Sequence, residues 1–282
     1  MLSIKKFIGS DVFIYLFFAA ILAIALFPFL FGGRIFINTD ATAYYYPIFE
    51  VYAQALKTGE SFLWNPLLFS GFPTYVSQSA GFLDPLNLII FRFLPPIDGY
   101  NLRLFIDLFL VLLFSYLAGK AYGLSQLSAS IVGMSYLLAF HWGFLSNLVI
   151  ANSLFFLPFL FFIWAKILAG SRKKWFWAVL GGVGTGWAFI SGYTQVNIYA
   201  LFLWGLFAIL HFFFVRSGQK NLKSFVSMVS LLLLVTSVGF LVGLPYILPA
   251  LKFISLSSRS GGLDFSLSTF KVINPGDFIL FL

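Results

Sequence analysis

The chain has few residues with which to do chemistry. Its 282 residues include nine Asp and Glu, two His and no Cys. Four of the acids, Asp40, Glu50, Glu60 and Asp84, fall in one stretch, Gly32–Pro96, among many Tyr, Trp, Asn, Gln and Pro. Asp40 stands in Asn38-Thr39-Asp40 and is soon followed by Tyr44, Tyr45 and Tyr46. A carboxylate there can cap a helix or sit solvated in a loop. It can also take a proton from an acceptor hydroxyl or hold a divalent cation. Tyr44 and Tyr45 could stack on a sugar or order the loop. Asp84 precedes Pro85, a turn-initiating pair; its functional alternative is a second carboxylate facing Asp40. Glu50 and Glu60 read as solvated helix and turn acids.

Arg103 and Asp107 lie four apart in an apolar run, on one helix face. Either charge alone near the bilayer centre costs about 2.5–3.5 kcal/mol. A structural pair is one account; a cation reaching a phosphate at the membrane surface is the other. His141, beside Trp142, ends another apolar run, and one His does not make a metal site. Arg259, in Ser257-Ser258-Arg259-Ser260, fits a lipid phosphate or a plain loop. Gly181-Gly182-Val183-Gly184-Thr185-Gly186 lies inside an apolar run and lacks the strand–turn–helix setting of a phosphate loop, so helix packing is expected. No HExxH, GxSxG or Walker signature occurs. The absence of Cys excludes disulfides, a thiolate nucleophile and Cys metal sites.

The elements that must position these residues are greasy. The chain is 61% hydrophobic and 9% charged, with a mean hydropathy of +0.98. Soluble domains are about a quarter charged, and apolar runs of about 20 residues recur here. The expectation is a single all-α polytopic membrane domain with seven spans, near Val12–Phe31, Gly99–Ala118, Leu127–Trp142, Val149–Ala169, Trp175–Ile190, Val196–Val215 and Phe225–Leu248. The first run is too long for a signal peptide's apolar core and more spans follow, so it reads as uncleaved. Between spans one and two, Tyr46–Thr58 predicts a short amphipathic helix at the interface, with Pro47 in its first turn and Gly59 as its stop. Pro85–Leu94 predicts a second short helix, interfacial or re-entrant. The outer tail from Lys252 ends in an apolar run at Leu282, which implies more chain or another span.

The net charge of +8 belongs to loops beside spans, where it orients the protein and meets anionic lipid, rather than to nucleic-acid binding. With a cytoplasmic N-terminus, the inner loops carry Lys5 and Lys6, Lys120, Arg172 to Lys174, and Arg216, Lys220 and Lys223. The short outer loops carry no Lys or Arg. Gly32–Pro96 then lies outside, along with Asn38, Gln78, Asn87, His141, Asn147, Asn152, Gln195, Asn197 and Arg259.

An early loop acid followed by Tyr-Tyr-Pro, then Leu63-Trp64-Asn65-Pro66, Phe69-Ser70-Gly71-Phe72-Pro73, Gln78 and Pro85-Leu86-Asn87, resembles the YfhO family of bacterial membrane proteins. Leu157-Pro158, Ser191-Gly192-Tyr193-Thr194-Gln195 and Leu248-Pro249…Ser258-Arg259 extend the likeness over most of the chain. Tyr193 departs from it, standing where the family pattern has His; Asp84 departs too, where an aromatic is common. Family members are usually longer, so the resemblance makes this chain an N-terminal portion. It also implies a GT-C-type glycosyltransferase of the bacterial cell membrane. Such an enzyme takes a sugar from a polyprenyl-phosphate donor and gives it to an envelope glycan or lipid acceptor on the outer face. Asp40 matches the catalytic base, and Tyr44, Tyr45, Trp64, Asn65, Gln78, Asp84, Arg103, His141, Gln195 and Arg259 are the substrate-binding candidates. A cation such as Arg103 or Arg259 would meet the leaving phosphate. No nucleotide site is implied, and a divalent cation is possible without being required. Two other readings compete: a transporter or flippase of lipid or polysaccharide, and a non-catalytic membrane scaffold. A transporter more often shows repeats and midplane polar groups.

Overall fold

The structure, a computed structural model, describes residues 10–37, 41–68, 70–74, 81–140, 145–170, 173–214, 222–256 and 261–262. Among the described residues the protein is helical and has no strand beyond one isolated bridge, Asn65 with Phe72. The helices are α1 Asp11–Ala25, α2 Phe27–Leu30, α3 Tyr46–Thr58, α4 Pro85–Phe93, α5 Pro96–Ala121, α6 Gln126–Leu138, α7 Leu148–Leu154, α8 Phe156–Leu168, α9 Lys174–Ser191, α10 Thr194–Phe214 and α11 Leu222–Ile254. A π turn, Ala41–Tyr45, leads into α3.

Four helical segments are long and apolar enough to cross a membrane: α5, α7 with α8 as Leu148–Leu168, α10 and α11. In their most apolar windows 78% of Leu148–Leu168 is buried, against 28% of α10 and 22% of α11. Leu148–Leu168 is therefore the centre of the bundle, and α10 and α11 turn apolar faces outward, as a lipid solvent allows. The apolar helices α1 and α6 are shorter.

The glycines of α9 face two neighbours. A Cβ on Gly182 would fall 2.5 Å from Val238, and one on Gly186 2.5 Å from Val242, both on α11. One on Gly181 would meet Ile163, and one on Gly184 would meet Phe159, both on α8. The run removes side chains so that backbones approach closely, which is the packing device expected of small residues in a bundle.

The stretch between α2 and α5 is folded. Pro47 sits in the first turn of α3, and Gly59 ends it with a left-handed φ of 78°, where a side chain would be strained. Glu50, Gln54 and Lys57 are exposed, whereas Ile48, Phe49, Tyr52, Ala53 and Ala55 are buried. That apolar side packs inside the protein. Phe49 stacks on Phe91 of α4 with ring centroids 4.9 Å apart, and Tyr52 lies 4.8 Å from Phe82. Edge contacts to Tyr100 and Phe62 extend the aromatic cluster. The amphipathic face that the sequence assigns to a bilayer interface is thus covered by α4 and α5. Pro66 and Gly71 belong to the Asn65–Phe72 turn, in which Ser70 and Gly71 take positive φ.

The bundle has two chemically different ends. At one, the α3–α4 segment meets the N-terminus of α5, the start of α7, the C-terminus of α9 and the C-terminal part of α11, the last through Phe72 against Phe253. At the other lie Lys120, Lys174 and Lys223, with Asp11 accepting hydrogen bonds from Tyr116 and Gln126.

Candidate functional site

Asp84 is the N-cap of α4. Its Oδ1 accepts from the Leu86 N–H at 2.8 Å, satisfying a donor that the helix start leaves open. Pro85, lacking an N–H, fits the first turn. This capping aims the other oxygen at α5. Oδ2 lies 2.7 Å from Nη1 of Arg103. The Nε of Arg103 donates to both carboxylate oxygens of Asp107, at 3.1 and 3.0 Å. The indole N–H of Trp187, from α9, donates to Oδ1 of Asp84 at 3.2 Å. All three charged side chains are fully buried, with no accessible surface. Two carboxylates around one guanidinium link the loop helix to α5, and Trp187 ties in α9.

The sequence leaves Arg103 two roles, partner of Asp107 and ligand for a surface phosphate. The structure builds the first and encloses the guanidinium, so no face of it is presented to the exterior. Asp84 keeps its place at a turn, its N–H donating to the Gly81 carbonyl at 3.0 Å, and joins this pair as well. A low-dielectric interior strengthens such attraction while making desolvation costly. The cluster is best understood as an anchor in which each charge needs the others.

Hydrogen bonds extend the anchor around the same end. Asn101 (2% exposed) accepts from the Phe36 N–H through Oδ1 and donates through Nδ2 to the Phe29 and Arg34 carbonyls, at 3.1, 2.9 and 2.8 Å. It clamps the chain leaving α2. Tyr100 donates to the Ser146 carbonyl and accepts from the Leu148 N–H, both at 3.1 Å. Tyr52 donates to the Phe82 carbonyl at 2.9 Å, and burial, followed by the nearby Asp84 charge, holds its hydroxyl well above the ordinary tyrosine value. Burial and the Glu50 carboxylate push the Tyr46 hydroxyl up to about 12. Gly81 passes so close to α9 that a Cβ would fall 2.5 Å from the Ser191 carbonyl oxygen. That carbonyl accepts from Asn152, and the Ala188 carbonyl accepts from Asn197, at 2.9 and 2.6 Å. The Ser191 carbonyl, left open at the C-terminus of α9, is thereby satisfied by a buried amide, and the Ala188 carbonyl, which also accepts from the Gly192 N–H, gains a second donor.

The other candidates divide by location. Asp40, Gln78, His141 and Arg259 lie outside the described residues. On either side of residues 38–40 the chain is held: Phe36 by Asn101, and Ala41 by complete burial. Tyr44 and Tyr45 are half-buried and meet edge to face, with centroids 5.1 Å apart. Trp64 is 55% exposed, and its ring covers Gly71, where a Cβ would fall 2.4 Å from it. Asn65 is buried; its backbone pairs with Phe72 and its Oδ1 accepts from the Leu67 N–H at 2.9 Å. Its side chain therefore builds the turn. Gln195 is exposed at the start of α10 and donates to the Tyr199 hydroxyl at 2.7 Å.

Gln195 also borders a groove of about 520 Å³ among α9, α10 and α11. Its walls are largely apolar (Phe189, Ile198, Phe240, Leu251), and Thr194 and Tyr246, 3.1 Å apart, add hydroxyls near the loop end. Among the described residues no three His, Cys, Asp or Glu converge as metal ligands. Sequence reasoning missed Asn101 and Trp187. A lone Asn in the second turn of a membrane helix was a usable signal; an indole among many aromatics was not.

Comparison of the chain with family models, curated proteins and solved structures found no match.

Proposed function

We propose that the protein is a membrane glycosyltransferase, moving a sugar from a polyprenyl-phosphate donor to an envelope glycan or lipid acceptor on the outer face of a bacterial membrane. The observation that carries this reading is the anchored first loop. Phe36 and Ala41 are both fixed around residues 38–40, on an end of the bundle built from α3, α4 and the helix termini beneath them. A general base needs such a rigid mount, because catalysis depends on geometry before acidity. In this reading Asp40 takes the proton from the acceptor hydroxyl as the acceptor oxygen attacks the anomeric carbon and the lipid phosphate departs. Tyr44, Tyr45 and Trp64 offer aromatic faces for sugar rings. The groove beside Gln195 suits a greasy donor chain, because it is apolar along its length and hydroxyl-bearing near the loop.

Arg103 is committed to Asp84 and Asp107, so the departing phosphate is assigned to Arg259. Seven spans with a cytoplasmic N-terminus place the lysine-bearing end inside and the loop outside. The resemblance to the YfhO family supports the chemistry; the folded loop supports its location.

The test is transfer from defined polyprenyl-phosphate sugars by the full protein in vesicles. Asp40→Asn is expected to lower turnover by about 10²–10⁴-fold while leaving thermal stability unchanged. Undiminished transfer by that variant would remove Asp40 as the base. Movement of lipid-linked sugar across the vesicle wall without transfer would establish a transporter instead.

A further inference from the structure

At the end of the bundle away from the loop, α8, α9, α10 and α11 enclose a cavity of about 430 Å³. Its polar rim carries Lys174, Lys223, His211 and Ser227, and its apolar wall includes Phe212, Met228 and Leu231. Lys174 donates to Ser227 at 3.0 Å, which draws its ammonium to the rim. Trp164 also lines the cavity; it is 2% exposed, and its indole N–H has no hydrogen-bond partner among the described residues. A buried donor left unpaired costs free energy, and the ring that carries it lines this space.

The sequence sharpens the point. No Asp or Glu occurs between Asp107 and Asp264, so none of the four helices around the cavity carries an acid. Two ammonium groups, a histidine and a hydroxyl therefore line a site to which their own helices bring no anion. Basic pockets between membrane helices take lipid phosphates, and the apolar wall continuing from the rim suits the first carbons of an acyl chain.

We propose that this cavity binds the phosphate headgroup of an anionic phospholipid, with Lys174 and Lys223 meeting its charge. Ser227 orients Lys174, and the Trp164 ring forms part of the wall beneath the headgroup. The site is independent of the glycosyl-transfer reading and lies at the opposite end of the bundle.

The experiment uses the full chain in a neutral detergent, titrated with dioctanoyl phosphatidylglycerol, dioctanoyl phosphatidylcholine or inorganic phosphate, with melting temperature as the readout. Phosphatidylglycerol alone is expected to raise it in a saturable way. The Lys174→Gln/Lys223→Gln variant should bind it roughly 25-fold more weakly, at about fivefold for each lysine near the headgroup. Lys174→Arg/Lys223→Arg should retain the response. Equal stabilisation by both lipids, or an unchanged response in the Gln variant, would overturn the proposal. Saturation by inorganic phosphate alone would replace the lipid with a soluble anion. Should the Gln variant not fold, photo-crosslinking decides: a phosphatidylglycerol probe on the native protein must label peptides from α8–α11 in competition with phosphatidylglycerol and not phosphatidylcholine, and any other labelling pattern overturns the proposal.

Discussion

Asp84 shows how one side chain can serve two purposes that look exclusive in a sequence. One oxygen caps α4 and the other faces Arg103. Removing only the cation should be severe, because two buried carboxylates then lose their partner. Arg103→Met is expected to cost about 3–5 kcal/mol of stability, measured by thermal or denaturant unfolding in detergent. Adding Asp84→Asn and Asp107→Asn should recover much of that loss, since a buried ion cluster replaced as a whole is often nearly neutral. A single variant as stable as the native protein would show that the cluster is not an anchor. The Arg103–Asp107 half of this cluster was legible, because a spacing of four places both on one face. Asp84 was not, because nothing local tells which distant carboxylate an arginine will meet. Asn101 could be noticed as a lone amide in an apolar helix, but its three backbone partners could not, because they lie on a chain segment whose path only the fold defines.

At the level of elements, α3 illustrates what periodicity can and cannot supply. Its limits, Tyr46 and Thr58, follow from Pro47 and Gly59, and its polar side follows from Glu50, Gln54 and Lys57. Periodicity says that the other side is apolar; it does not say whether lipid or protein covers it. Phe49, Phe82, Phe91 and Tyr100 supply the answer by packing on one another. The glycines of α9 were legible as packing positions, but not as two sets facing different neighbours. Gly186→Val should push Val242 and α11 away and lower stability by about 1–3 kcal/mol. The same substitution at Gly205, which has nothing within 4 Å of its Cβ position, should cost distinctly less. Equal losses at the two positions would mean that α9 and α11 do not rely on close approach.

For the whole molecule, composition identified an all-helical membrane protein, and the described helices include four of spanning length. The sidedness proposed above can be checked cleanly because the chain has no native Cys. In intact cells, Glu60→Cys is expected to react with a membrane-impermeant maleimide, and Lys173→Cys to react only after permeabilisation. The reverse pattern would invert the molecule and place the first loop in the cytoplasm.

The pairing of Arg103 with Asp107 also bears on how the chain enters the membrane. Both residues belong to α5, so the two charges can neutralise each other as soon as that helix forms, before α9 and its Trp187 have been synthesised. Asp84, already translated, can join them from the N-terminal side. The insertion machinery thus meets an α5 whose Arg103 and Asp107 offset each other, and the later helices close around an arginine that already has its partners. Exchanging Asp107 with Leu108 keeps the composition of α5 but breaks the spacing of four. Such a segment should insert less efficiently in a glycosylation-based insertion assay, even when truncated before α9; equal insertion would show that the match forms only after assembly.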